Sequence, residues 1–173
     1  MPQPAIVVGV TPWQPDYVVH EALKFAAKLH CRVVCVSVDL SRYVTETRAD
    51  GSIIAAPIDS DAGGVIVEEF DPGLATRIRQ LAATADVDCE FLASAGNPGR
   101  VLSKVANEHD AVMIVVGTRS ATLGGTVREF FSGSVAVNLA HRQHRPVLVV
   151  PLDPVSGDGV LPWDAPRPLD ERS

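Results

Sequence analysis

No lysine or arginine precedes Lys24, so the N-terminal stretch lacks the cationic region that opens a secretory signal. Long apolar runs are missing too: the longest, residues 111–116, falls far short of a membrane span. Cationic charge is scarce overall, with 15 Lys and Arg against 21 Asp and Glu and a formal net charge of −6, a field that repels phosphodiester backbones. These absences lead to the expectation of a cytoplasmic protein with no nucleic-acid and no membrane partner. Cysteine is sparse and odd in number, and Cys31 and Cys35 have three residues between them, not the two of redox and zinc motifs. Buried, reduced thiols are expected. No glycine is followed by lysine, and neither G-x-G-x-x-G nor G-x-S-x-G occurs, which removes the P-loop, the dinucleotide fingerprint and the nucleophile elbow.

What is present is a globular composition: 46% hydrophobic and 21% charged residues over a length of 173, enough for one packed core with some chain to spare. Residues 5–10 form an almost unbroken β-branched run, as a strand buried on both faces of a parallel sheet requires. Over 15–30 the apolar positions Val19, Leu23, Ala26 and Ala27 recur at helical spacing, with Asp16 placed as a cap or first-turn anion. The cycle repeats with strands at 33–38, 89–93, 111–116 and 147–150. Helices open at Asp71-Pro72 and Asn97-Pro98, and a last one covers 134–143. Residues 41–70 break this rhythm and read as an insertion; Asp50-Gly51 suits a type I′ turn, leaving a small hairpin and an irregular connection equally open. The domain is expected over 1–151, followed by a Pro- and Asp-rich tail, 152–173. Alternating strands and helices predict a three-layer α/β sandwich with a five-stranded parallel sheet.

In such a sheet ligands bind beyond the carboxyl ends of the strands, where helix N-termini present free N–H groups. The loop after the fourth core strand, 117–134, is rich in glycine, including Gly117, Gly124, Gly125 and Gly133. It suits close backbone approach to an anion, with Arg119 and Arg128 adding charge and the Thr118 and Ser134 hydroxyls able to donate. It also suits a mere tight connection. His141 and His144 share a helix face with no third ligand in view, so they complement the negative helix end, and no metal site is expected. Ser134 and His141 stand two turns apart, too far for nucleophile and base, so no dedicated catalytic centre is expected either.

The order of elements, Val8-Gly9-Val10, Gly96-Asn97-Pro98, Gly117, Gly133-Ser134-Val135-Ala136 and the ending Arg145-Pro146-Val147-Leu148-Val149-Val150 together resemble the universal stress protein family in its single-domain form. The likeness covers about residues 4–151, apart from the insertion, and is strongest from Val112 onward. It implies a Rossmann-like fold of the adenine nucleotide alpha hydrolase type, in which the glycine-rich motif before the last helix holds the phosphates of ATP. By this resemblance the Val38 backbone faces adenine, Val10 and Thr11 close the end of the first strand, and Gly117, Gly133, Ser134 and Val135 hold ribose and phosphates. Thr118, Arg119 and Gly124 complete the expected set. The implied ligand is an adenine nucleotide, ATP with or without Mg2+, bound by a regulator capable at most of slow hydrolysis. The chain departs from the family in two places. Thr11 stands where the family carries an acid, and Ser120 replaces the second glycine in a loop that is longer, with fifteen residues between Gly117 and Gly133. Those departures support a second reading, a nucleotide-free interaction module. In both readings the flat, uncharged strand formed by Val147, Leu148, Val149 and Val150 pairs with its twin in a homodimer, as the family resemblance also implies.

Overall fold

The structure, a computed structural model, describes residues 3–59, 61, 63–118 and 134–152, with Ser134 described in its backbone alone. Five parallel strands, β1 (Ala5–Val10), β2 (Arg32–Asp39), β6 (Cys89–Ala95), β7 (Ala111–Gly117) and β8 (Val147–Val150), form one sheet in the order β6-β2-β1-β7-β8. Helices cover both faces, so the α/β sandwich expected from the alternation is the fold observed. Successive residues of the inner strands point to opposite layers, as a period of two demands. Ile6, Val8, Val33, Cys35 and Val115 pack under α1 (Tyr17–Leu29) and α2 (Pro72–Ala85). Val7, Val34, Val36, Ile114 and Val116 pack under α3 (Pro98–Glu108) and α4 (Ser134–Arg142). With both faces covered, the strands must be apolar throughout, which is why their sequence reads as continuous runs.

Local chemistry sets the helix ends. The Asp71 carboxylate accepts the Leu74 N–H at 2.6 Å and Asn97 Oδ1 accepts that of Arg100 at 3.0 Å, each just before a proline that gives up no needed donor. Asp16 precedes α1 but makes no capping bond; its Oδ1 instead meets Arg77 Nε at 2.6 Å, tying α1 to α2. Cys31 and Cys35 are buried, and all three cysteines are free thiols. A hydrogen bond with Cys89, together with burial, pushes the Cys35 thiol well above its ordinary range, so it stays protonated and inert.

The segment 41–70 holds a separate antiparallel sheet of β3 (Arg42–Thr47), β4 (Ile53–Pro57) and β5 (Ile66–Glu68), set against β6. The turn between β3 and β4 is not type I′. Gly51 alone has positive φ, +86°, and its N–H donates to Arg48 O at 3.0 Å while Arg48 N–H donates to Ser52 O at 2.9 Å. This is a three-residue loop closed by a left-handed glycine. Asp50 escapes positive φ because its carboxylate accepts both the N–H and the hydroxyl of Ser52, at 2.9 and 2.7 Å. Burial, with Asp39 nearby, raises the Glu68 carboxyl above the usual range.

Candidate functional site at the strand carboxyl ends

The chain leaves β1 through α1 toward β2 on one side, and later returns through α3 to place β7 on the other side of β1. The connections therefore diverge between β1 and β7, and divergence of this kind opens a crevice above the carboxyl ends of the two strands. β2 is longer than β1. Its Ser37 pairs with Val10, the last residue of β1, so Val38 and Asp39 run on with Ser94 and Ala95 of β6 as partners and no strand partner on the β1 side. Gly96 follows with φ +103°, nothing within 4 Å of where a Cβ would stand, and its N–H bonded to Asp39 O at 2.8 Å. The Asp39 carboxylate accepts the Ser41 N–H and hydroxyl at 2.7 and 2.6 Å.

Among the residues expected at the site, Val10, Thr11, Val38, Gly117, Thr118 and Val135 are described; Arg119, Gly124 and Gly133 lie outside the described residues, as does the Ser134 side chain. The Val10 side chain is in the core, so only its main chain faces the strand end. Thr11 and Val135 are half-buried. Gly117 is closely enclosed: a Cβ there would stand 2.9 Å from Val18 Cγ2, 3.1 Å from Gln14 Nε2 and 3.2 Å from Leu152 Cδ1. Thr118 knits β7 to the end of β8. Its N–H donates to Val150 O at 2.7 Å and its Oγ1 accepts the Leu152 N–H at 2.8 Å, which leaves the hydroxyl proton alone to give.

The structure adds a residue that the sequence did not single out. Gln14 Nε2 is shut off from solvent and has no hydrogen-bond partner among the described residues. Its backbone N–H donates to Thr11 O at 3.1 Å, turning the chain back over the end of β1. Pattern reading had no signal for Gln14, because a glutamine in a loop belongs to no motif or stripe. With Pro12, Trp13, Pro15, Asp16 and Arg77 it lines a cleft of about 300 Å³, at whose rim Trp13 is 79% exposed. A larger cleft of about 580 Å³ lies at the opposite end of the sheet, lined by Ser103, Asn107 and residues 142–146. It is away from the crevice, and Arg145 beside it is held by the Ala111 carbonyl at 2.6 Å. The C-terminal ends of α3 and α4 face it, which disfavours an anion there.

A sequence profile described as the universal stress protein family matches residues 4–151. The chain belongs to that family. Solved structures of universal stress proteins share its fold. One in complex with cAMP is 22% identical with a TM-score of 0.53, covering 86% of this chain and 96% of the other. Two from Archaeoglobus fulgidus are each 18% identical. The first has a TM-score of 0.54 and covers 85% of this chain and 93% of its own. The second, in complex with dAMP, has a TM-score of 0.52 and covers 87% and 99%. A search of proteins with curated function returned no match. Among the described residues of this universal stress protein no helix is long and apolar enough to cross a membrane.

Proposed function

We propose that this universal stress protein is a cytoplasmic regulator that binds an adenine nucleotide, ATP with Mg2+ foremost, in the crevice between β1 and β7, and has no dedicated catalytic centre. The observation that carries the reading is the overrun of β2. Val38 offers main-chain groups beside the end of β1, where a flat base with donors and acceptors on its edge fits. The open space at Gly96 and the approach of Gly117 to the same crevice agree with it, as do the two similar structures that hold cAMP and dAMP. On this reading Val10 and Thr11 flank the ribose, the Thr118 hydroxyl donates its free proton, and Arg119, Gly124, Gly133, Ser134 and Val135 enclose the phosphates. The nucleotide would supply a triphosphate and its charge, and the metal would neutralise part of it. Isothermal titration with ATP and Mg2+ is expected to show saturable binding and a melting temperature that rises with ligand. No heat and no rise at millimolar-order nucleotide would reject the reading.

One observation favours the second reading, a nucleotide-free interaction module: the Thr118 amide is already spent on Val150, and Gln14, Val18 and Leu152 close on Gly117. Substituting Gly133→Trp separates the two, since a ligand-dependent melting shift disappears under the first and was never there under the second.

Both readings include a homodimer through β8. That strand is four apolar residues at the border of the sheet, with Val149 42% exposed, and a bare apolar edge invites pairing. Val149→Lys is expected to yield monomers in sedimentation; an unchanged sedimentation coefficient would count against this interface.

A further inference from the structure

We propose that the cleft of the loop between β1 and α1 is the docking site of the chain's own Pro- and Asp-rich tail, with residues 161–168, which lie outside the described residues, laid across Trp13. The cleft, about 300 Å³, is lined by Pro12, Trp13 and Pro15, with Asp16 and Arg77 supplying its charge. Trp13 at its rim is 79% exposed, whereas tryptophan is a highly buried residue on average. The tail starts beside this cleft. Leu152 Cδ1 and Gln14 Nε2 lie 3.2 and 3.1 Å from one point, the place where a Cβ on Gly117 would stand. Thr118 Oγ1 fixes the chain there by accepting the Leu152 N–H at 2.8 Å. Gln14 itself lines the cleft and is the sequence neighbour of Trp13. The stretch from Leu152 to Leu161 extends to about 30 Å at most, ample for a cleft whose near side Leu152 already adjoins.

The chemistry of the two sides matches. The segment reads Leu161-Pro162-Trp163-Asp164-Ala165-Pro166-Arg167-Pro168. Its prolines fix φ and so reduce the entropy lost on docking, and Pro-rich segments bind in grooves lined by aromatic rings. Charge agrees as well. The segment holds one acid, Asp164, and one base, Arg167, while the cleft holds Asp16 and Arg77, paired at 2.6 Å, so no net charge on either side opposes the contact. Size decides between this occupant and a separate protein. Stable association of free chains takes an interface above about 1,000 Å², more than a cleft of this volume offers. A tethered segment needs less, because the tether holds it at a local concentration on the order of millimolar and much of the freedom lost on association is already gone.

Trp13 and Trp163 are the two tryptophans of the chain, so single-tryptophan forms of the full chain report the contact from each side. The test is tryptophan emission and acrylamide quenching on ligand-free protein, which keeps it independent of the nucleotide reading. In Trp163→Phe, which keeps a ring in the tail, Trp13 should emit at shorter wavelength than a free tryptophan amide and resist quenching. In Trp163→Ser both effects should vanish. Reciprocally, Trp163 should be protected in Trp13→Phe and lose that protection in Trp13→Ser. None of these signals should change on dilution, because a tethered contact does not depend on protein concentration. Equal quenching of Trp13 in the two Trp163 variants, or of Trp163 in the two Trp13 variants, would overturn the docking. Protection that disappears on dilution would assign the cleft to the tail of a second copy and overturn the contact within one chain.

Discussion

Ile114→Ala is expected to cost about 3 kcal/mol and to lower the melting temperature by roughly 6–12 °C. Ile114 is fully buried on β7, between β1 and β8, and packs into the layer under α3 and α4. Removing its outer carbons leaves a void that the neighbours cannot close, because Val7, Val34 and Leu139 in the same layer are themselves fixed in place. Val112 on the same strand supplies the control. It is 41% exposed, so Val112→Ala should change stability by less than about 0.5 kcal/mol. Denaturant midpoints that fall equally for both variants would contradict the packing described for this strand.

Gly99→Val should destabilise by about 3 kcal/mol through overpacking rather than a void. Gly99 sits in the first turn of α3, where a Cβ would stand 2.9 Å from the Asn138 Cβ of α4 and 3.3 Å from the Asn97 Oδ1 that caps α3. A branched side chain has to push the two helices apart, disturb the cap, or both. Because α4 begins at the crevice, the same variant should also weaken nucleotide binding if the proposed function holds. Gly64→Ala is the neutral counterpart, since nothing lies within 4 Å of the position its Cβ would take. A thermal melt of Gly99→Val that matched the wild type would show that α3 and α4 do not approach this closely.

Much of the architecture is legible in the chain because doubly covered parallel strands have few acceptable compositions. The runs at 5–10, 33–38 and 111–116 announce themselves, and Asp71-Pro72 and Asn97-Pro98 mark helix starts through chemistry that is local in sequence. Asp16 looked like the same signal and is not, since a long-range partner, Arg77, outcompetes the neighbouring amides for its carboxylate. The Asp50-Gly51 turn differs for a related reason: the side-chain bonds to Ser52 hold Asp50 at negative φ, and a dipeptide rule does not see them. The third strand of the small sheet, β5, is three residues long, too short for an alternation to stand out. At the crevice, Gly117 and the strand ends were readable. The engagement of Thr118 with Val150 and Leu152, and the unpartnered amide of Gln14, were not, because each depends on atoms brought together from distant parts of the chain.

The small sheet of β3, β4 and β5 is set against one border strand, β6, while β8 forms the other border. A slab open at both margins could add copies on either side and grow into a ribbon without limit. Here the chain's own small sheet lies beside one margin, so if β8 pairs with its twin as proposed, lateral growth ends at a closed twofold pair.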